Sequence, residues 1–421
     1  MSSGIASINR PAAPPQPTGR EVWAFLKKEF RPKGAVMTPF NIISGLTVLL
    51  AVVLLAIRFT RGLASITNLS QQFPWGLWIG FDVMTGVAFA GGAYVLTFMV
   101  YILNMEKYRP IVRVTVLNAF LAYVFYAGAL LLDLGRPWNV FNPIIGNSFG
   151  LSSVLFLVAW HFMLYMLAAF MEFAPAAAEW LGMARLRKLL GAMTLGAVIF
   201  GVTLSTLHQS GLGALFMMAK DKIFPLWYSE YIPVLFVVSS VFAGLSMVIF
   251  EGSISQRVFI NRVSESIKKS HNAILIGLAR ICAATMFLYL FLKVLDVTHT
   301  QSWGYLFTPM GFWWAMEVGF FVAVPMVFFT VSVRNRNYRL IRIAAIMTLI
   351  GIILNRLNLS VFAFRPDAAV HYMPSWMEVE VTFAVIFVEI WVYRWIINRL
   401  PVLSDPPAWA KEPEPVAAAT A

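Results

Sequence analysis

The sequence predicts an all-α, polytopic integral membrane protein with about ten transmembrane helices and both termini in the cytoplasm. Of its 421 residues, 59% are hydrophobic and only 12% are charged, and the mean hydropathy is +0.75. A soluble domain has about a quarter of its residues charged. Apolar windows of about 20 residues, long enough to cross the hydrocarbon core, recur along the chain. The loops between these windows differ sharply in basic charge.

Ten windows have the length that a transmembrane helix needs. They cover roughly residues 41–60, 74–104, 112–133, 152–173, 187–207, 232–251, 272–295, 311–333, 338–360 and 376–397. Residues 1–40 are predicted to be a cytoplasmic arm, because they lack the apolar core and cleavage site of a secretory signal. Residues 41–400 form the ten-helix membrane domain. Residues 401–421, rich in proline and alanine, are predicted to be a disordered cytoplasmic tail.

Basic residues predict the orientation of these spans. Alternate loops, together with both termini, hold 23 of the 32 Lys and Arg residues; the other loops hold 7, and Arg280 and Arg356 lie within spans. We call the side with the 23 residues the basic face, and the positive-inside rule places it in the cytoplasm. The net charge of +12 therefore reflects topology, and no nucleic-acid partner is expected.

The opposite side carries longer, aromatic-rich connections, and we call it the long-loop face. Its three main segments are RPWNVFNPIIGNSFG, HQSGLGALFMMAKDKIFPLWYSEYIP and FAFRPDAAVHYMPSW. Such segments could dock a protein or frame the mouth of a cavity. An interfacial aromatic belt explains their composition equally well.

Five polar residues fall in the long-loop half of spans 2–5. Asp82, His161 and Tyr123 lie about 12 to 15 Å inside their spans at 1.5 Å per residue. Asp133 and His208 lie near span ends and could be ordinary helix-end residues, and His161 could be a core histidine bonded to a carbonyl. Asp82 is harder to explain structurally, since a carboxylate in hydrocarbon needs a partner or a proton.

A second set of polar residues lies within or at the ends of spans 6–10. These residues could be charges that pair between helices or steps of a proton path, and pairing with a neighbouring carboxylate is expected for Arg356. They are Glu251, Arg280, Glu317, Arg356, Glu380 and Glu389.

The residue inventory limits which cofactors this chain can hold. Cys282 is the only cysteine, so the chain cannot ligate an iron–sulfur cluster by itself. A bis-histidine haem needs two histidines at matching depth, and only His161 is deep by sequence. We therefore predict no haem, no iron–sulfur cluster and no metal site in this chain. Electrons would have to arrive from a partner or use another cofactor.

Several motifs together resemble the HybB-type membrane subunit of periplasmic nickel–iron hydrogenases, within the NrfD/PsrC superfamily. They are FPWGLWIGFD, YILNMEKYRPIVR, LLLDLGRPWN, SSVLF, EFAPA, STLHQS, FPLWYSEYIP, VIFEGS and MPSWMEVEV. The resemblance implies ten spans in a bacterial inner membrane, no haem, and a menaquinone or ubiquinone site near the periplasmic face. It also implies a periplasmic ferredoxin-like iron–sulfur subunit as electron donor or acceptor, with hydrogenase small and large subunits beyond it.

The resemblance also assigns roles to residues. It places Asp82, Tyr123 and His208 nearest the quinone, within the wider group that includes Asp133 and His161. Arg113 and Glu251 would contribute to proton transfer from the cytoplasm. Related proteins often have a glutamate directly after SVLF, where this chain has Leu157. His161, one turn further on, could replace that glutamate in proton handling, or the proton route could be absent.

The hypothesis from the sequence is a quinone entering laterally between spans 2–5. Polar side chains would hydrogen-bond its carbonyls, and Asp82 or His161 would supply protons as electrons arrive. One alternative is a proton-coupled secondary transporter, which also uses intramembrane charges. Another is a purely structural anchor for a periplasmic complex. The sequence names neither the catalytic partner, the quinone nor the direction of electron flow.

Overall fold

The computed structural model describes residues 14–146 and 150–410, and helices account for most of them. In chain order they are α1 (Gly19–Glu29), α2 (Pro39–Arg61), α3 (Trp78–Ile102), α4 (Arg109–Asp133), α5 (Asn142–Ile145), α6 (Val154–Trp180), α7 (Ala184–Met217), α8 (Ile232–Val258), α9 (Glu265–His299), α10 (Pro309–Asn335), α11 (Tyr338–Phe362) and α12 (Trp376–Ile397). Among these described helices, nine are long and apolar enough to cross a membrane: α2–α4 and α6–α11. The all-α membrane fold is therefore confirmed.

The tenth predicted span corresponds to α12. Its 22 residues give a length of about 33 Å, which is sufficient to cross the hydrocarbon core. Glu378, Glu380, Glu389 and Arg394 make it too charged to be counted with the nine on composition alone. α12 packs against α2 and α4, and its Arg394 guanidinium donates to Asn41 of α2 at 3.2 Å.

α3 is the most buried of the nine apolar spans, and α2 is the least. α3 packs chiefly against α4 and α8, while α2 lies at the periphery against α12. Glycines bring α3 and α8 into backbone contact: a Cβ atom at Gly244 would lie 1.9 Å from the backbone nitrogen of Gly92. Small residues at such a crossing allow close helix packing in a membrane.

Four turns of π-helix lie within or at the ends of the described spans. They cover Trp78–Val83 and Phe98–Ile102 in α3, Gly319–Ala323 in α10 and Asn358–Phe362 in α11. Single π turns within α-helices occur frequently at functional sites. The first of them carries Asp82.

The ordered chain extends beyond the predicted boundary at residue 400. Val402 and Leu403 are buried in the core, and the Ser264 amide donates to the Leu403 carbonyl at 2.8 Å. Residues 401–410 thus differ from the predicted disordered tail, because they supply apolar side chains and carbonyl acceptors to the basic face. Residues 411–421 of that predicted tail, and residues 1–13 of the predicted arm, lie outside the described residues.

A buried carboxylate ties this segment to the helices. Glu179 at the end of α6 accepts two hydrogen bonds from Arg113, at 2.7 and 2.9 Å, and one from Arg187 at 3.2 Å. Arg113 also donates to the Pro401 carbonyl at 3.2 Å. Arg113 therefore joins α4, α6 and the residues after α12.

Replacing Glu179 with alanine should destabilise the protein markedly. Two guanidinium groups would face each other without the anion that lies between them, and breaking a buried ion pair on one side costs about 3 kcal/mol or more. We expect the thermal midpoint of the purified protein in detergent to fall clearly. The matched control is Glu265→Ala, which removes the partner of Lys268 in an exposed pair and should cost under about 1 kcal/mol. Equal midpoints for the two variants would contradict this role of Glu179.

Candidate functional site

Asp82 lies in the π turn that begins α3, and its side chain is 1% exposed. The Thr382 hydroxyl of α12 donates to its Oδ2 atom at 3.2 Å. The Oδ1 atom has no hydrogen-bond partner among the described residues. The Oδ1 atom can therefore hydrogen-bond a ligand inside the protein.

A network around Glu378 fixes the position of this π turn. The Glu378 carboxylate accepts hydrogen bonds from the Tyr372 hydroxyl, from the Asn68 amide at 2.9 Å and from the Ser375 amide at 3.0 Å. The Tyr372 hydroxyl in turn accepts from the Leu77 amide at 2.9 Å. Ser375 and Glu378 form a capping box at the start of α12. The motif MPSWMEVEV thus contributes to the site by joining the start of α12 to the start of α3.

His208 and Tyr123 lie together in the long-loop half of the protein, on α7 and α4. Their ring centroids are 5.8 Å apart, and both rings contact Phe162, which stacks on Tyr123 at 5.5 Å. The Nδ1 atom of His208 is 3.1 Å from the Val158 carbonyl oxygen. His161, one helical turn from Val158 on α6, lies within electrostatic range of His208. The structure therefore brings these three predicted residues into one cluster.

His208 lies within a helix that is longer than the sequence predicted. We expected its span to end at residue 207, but α7 continues to Met217 without interruption. His208 is 2% exposed and lies about 13 Å from the helix end. The helix that carries His208 therefore extends beyond the predicted end at residue 207, because HQSGLGALFM continues it despite its two glycines.

Four polar atoms of the site share one property. Asp82 Oδ1, Tyr123 Oη, His161 Nδ1 and His208 Nε2 are buried without a hydrogen-bond partner among the described residues, although Tyr123 Oη lies near the Ser205 hydroxyl. A buried polar group without a partner costs about 1–3 kcal/mol. Such a group in a native protein calls for a ligand, a water molecule or an ion.

Asp133 lies apart from the histidine cluster, at the end of α4. It is within electrostatic range of Arg58, which donates to the backbone carbonyls of Leu132, at 2.8 Å, and Leu134. Asp133 is also within electrostatic range of Asp82. The structure thus groups Asp133 with Asp82 and leaves it about 15 Å along α4 from Tyr123.

Glu251 and Arg113, both predicted to transfer protons, line two different cavities. Glu251 faces a cavity of about 570 Å³ between α3, α4, α8 and α12, and it accepts a hydrogen bond from the Asn118 amide. Arg113 lines a cavity of about 270 Å³ between α4, α6 and α7, which also contains Glu172. The structure does not bring the two residues together.

A further polar network lies between α8, α10 and α11. Arg356 was expected to pair with a carboxylate on a neighbouring span, and it reaches Glu317 only through Asn355. Arg356 donates to Asn355 Oδ1 at 2.7 Å, and Asn355 donates to Glu317 at 2.6 Å. Arg356 also donates to Ser239 at 2.7 Å, and Trp227 donates to Glu317 at 2.7 Å. These contacts hold α8, α10 and α11 together.

Three residues of the site region were not predicted from the sequence. Gln209, beside His208, is fully buried and donates to the Val87 carbonyl at 3.0 Å, and its Oε1 atom has no hydrogen-bond partner among the described residues. The STLHQS motif, which contains Gln209, could have identified this residue from the sequence. Glu378 could have been identified from the capping-box pattern that it forms with Ser375. No such pattern marks Tyr126, because tyrosines are frequent in apolar spans.

The fold and the site define a class: a helical membrane protein with buried, unpartnered polar atoms on its transmembrane helices. Within that class the chain belongs to the NrfD family, since the model described as polysulphide reductase, NrfD, matches residues 65–364. The family resemblance seen in the sequence is thereby confirmed, as is the assignment to the bacterial inner membrane as a multi-pass protein.

Relatives extend over most of the chain. A protein of Nitratidesulfovibrio vulgaris (strain Hildenborough) is 41% identical over 375 residues, covering 89% of this chain and 96% of its own. The probable Ni/Fe-hydrogenase 2 b-type cytochrome subunit of Escherichia coli K12 is 30% identical, covering 88% and 94%. The integral membrane subunit of a menaquinone reductase of N. vulgaris is 28% identical, covering 74% and 79%. One of these relatives is thus named as a cytochrome subunit of a hydrogenase, and another as the integral membrane subunit of a menaquinone reductase.

Proposed function

We propose that this chain is the quinone-reactive membrane subunit of a respiratory oxidoreductase, of the nickel–iron hydrogenase type. It passes electrons between a periplasmic iron–sulfur subunit and the menaquinone or ubiquinone pool. The observation that carries this proposal is the set of unpartnered polar atoms on Asp82, Tyr123, His161 and His208. All four lie in the long-loop half of adjoining helices, and Tyr123 and His208 lie among aromatic rings that suit a flat, apolar headgroup.

Each residue has a role that its contacts support. The Nδ1 atom of His208 faces the Val158 carbonyl, so Nε2 is directed to the ligand. Tyr123 Oη is a donor to a quinone oxygen, and Phe162 holds the Tyr123 ring by stacking. Asp82 Oδ1 and His161 Nδ1 hold or accept protons beside the headgroup, with Asp133 next to Asp82. A bound quinone supplies the two-electron, two-proton redox chemistry.

The histidine positions also support a quinone over a haem. His161 and His208 lie on α6 and α7, which are joined by a short turn and pack directly against each other. A haem ligated by both would have to separate these two helices. We therefore retain the prediction of no haem in this chain, although the E. coli relative is named a b-type cytochrome subunit.

The proposed orientation places the long-loop face in the periplasm. The site then lies within about 10 to 15 Å of the surface where an iron–sulfur subunit would dock. The charge on the opposite face supports this orientation through the positive-inside rule. Proton transfer from the cytoplasm would begin on the basic face, with Glu251 in one cavity and Arg113 at the mouth of the other.

The test is quinone-dependent turnover by the complex purified with its native partner subunits. His208→Phe keeps an aromatic ring but removes the free Nε2 atom. Loss of one hydrogen bond to a ligand costs about 1.5 kcal/mol, so the KM for a menaquinone analogue should rise about tenfold. Tyr123→Phe should raise it similarly.

His371→Phe provides the matched control, because His371 lies outside this cluster and contacts Phe73. Its KM should equal that of the wild type. Absence of quinone turnover by the intact complex would refute the proposed function. Uptake of a solute into vesicles holding the complex, without quinone reduction, would instead support a transporter.

A further inference from the structure

The cavity that contains Glu251 runs from the basic face into the middle of the protein. At its basic end lie Val258, Phe259 and Arg394, near the ends of α8 and α12. At its inner end lies Tyr126, about 10 Å along α4 from Asp133. A single chamber of about 570 Å³ thus covers the depth between the basic face and the level of the proposed quinone site.

Two carboxylates face this chamber, whose lining is mainly apolar. Glu251 comes from α8 and Glu389 from α12. Neither forms an ion pair in the described parts of the chain. Arg394, the cation of the chamber, donates to Asn41 at 3.2 Å. Two unpaired carboxylates that share a low-dielectric space repel each other when both are ionised, so the pair favours holding at least one proton.

Tyr126 connects these carboxylates with Asp82. Its side chain lines the chamber together with Glu251 and Glu389. Its ring packs on Gly86, where a Cβ atom would lie 2.5 Å from Tyr126 Cγ. Gly86 is one helical turn from Asp82, on the same face of α3.

α12 connects the same two sites independently of Tyr126. Thr382 donates to Asp82 at 3.2 Å, and Glu389 lies two turns further along the helix. Seven residues correspond to about 10 Å of helix. Glu389 thus lies about two helical turns from the hydroxyl group that contacts Asp82, and Tyr126 lines the chamber beside Glu389.

We infer that this chamber conducts protons from the basic face, and that Glu389 and Tyr126 relay them from Glu251 to Asp82. The inference rests on the proposed function and adds to it the residues between entry and destination. Glu251 passes its proton to Glu389 and is reprotonated from the basic face. Tyr126 then accepts a proton at its oxygen from Glu389 as it releases its own to Asp82. Each relay group ends in its starting state, and one proton is transferred.

The experiment uses vesicles that contain the purified complex, with the basic face inside and a pH-sensitive dye enclosed. Methyl viologen, reduced with dithionite outside, drives menaquinone reduction without requiring the natural substrate of the partner enzyme. Valinomycin and potassium prevent a membrane potential from opposing proton movement. In the wild type the interior should become alkaline as quinone is reduced, because quinol formation consumes protons from inside.

Glu389→Gln and Tyr126→Phe keep the side-chain shapes but cannot relay a proton. Each should lower interior proton loss per electron on the order of a hundredfold, the lower end of what one proton-transfer group contributes. Glu389→Asp retains a carboxyl group and should recover most of the loss. Recovery by aspartate excludes a mere packing defect.

Glu380→Gln is the matched control, since Glu380 lies on the same helix but outside the chamber. It should match the wild type. If Glu389→Gln reduces quinone and loses as many interior protons per electron as the wild type, the relay is overturned. The proposed function would still stand. Absence of quinone reduction in the wild-type complex would instead refute the proposed function.

Discussion

Replacement of Asp82 by asparagine is expected to lower quinone-linked turnover on the order of a hundredfold, while the complex still assembles. Asparagine has the size of aspartate and keeps an oxygen to accept the Thr382 hydrogen bond. It cannot carry a proton between the interior and the quinone. A positioned proton-transfer group contributes 10²- to 10⁴-fold in rate, and its loss should appear in kcat more than in KM.

The measurement is viologen-driven menaquinone reduction by complexes of equal purity and subunit composition. Asp221→Asn serves as control, because Asp221 lies exposed on the long-loop face, in the turn Lys220–Lys222. It should retain full activity. A fully active Asp82→Asn complex would show that Asp82 does not handle protons. A complex that lacked partner subunits would show that Asp82 is needed for assembly instead.

Replacement of Gly244 by alanine is expected to prevent stable folding or to lower stability by about 3 kcal/mol or more. The new Cβ atom would lie 1.9 Å from the Gly92 nitrogen and 2.4 Å from the Gly91 carbonyl carbon. Both are backbone atoms at the crossing of α3 and α8, so no side-chain rotation can relieve the overlap. Because α3 carries Asp82, separation of these helices would also disturb the site.

Gly252→Ala tests the same change on the same helix, about two turns further on. No atom lies within 4 Å of its new Cβ position. Alanine is favoured over glycine within a helix by about 1 kcal/mol, so this variant should be neutral or slightly more stable. The two variants are compared by the yield of purified protein and by its thermal midpoint in detergent. Similar values for both variants would show that the α3–α8 crossing tolerates separation.

The sequence was informative about features that depend on local composition. Hydropathy identified ten segments that all form helices, because a span needs about 20 apolar residues regardless of its neighbours. Asp82 was identifiable because a carboxylate in an apolar helix is rare and costly. Local composition was less reliable at helix ends: α7 continues past His208, and residues 401–410 pack on the core despite their prolines.

The sequence could not establish which polar groups meet. Glu251 and Arg113 were both assigned to proton transfer, yet they line separate cavities, one between α3, α4, α8 and α12 and the other between α4, α6 and α7. Arg356 reaches Glu317 through Asn355, although direct pairing was expected. No sequence pattern identified Tyr126 as a site residue, since its position beside Glu389 depends on the packing of α4 against α12.

The amino-acid sequence by itself determined that this protein is a helical membrane protein, which residues are costly to bury and which family it belongs to. These properties follow from the chemistry of each segment in contact with lipid. Only the tertiary structure decided that Tyr123, His161 and His208 form one cluster and that Asp82 adjoins α12. Such contacts join residues up to 300 positions apart in the chain. They arise from the packing of helices, which glycine contacts and buried hydrogen bonds fix in three dimensions.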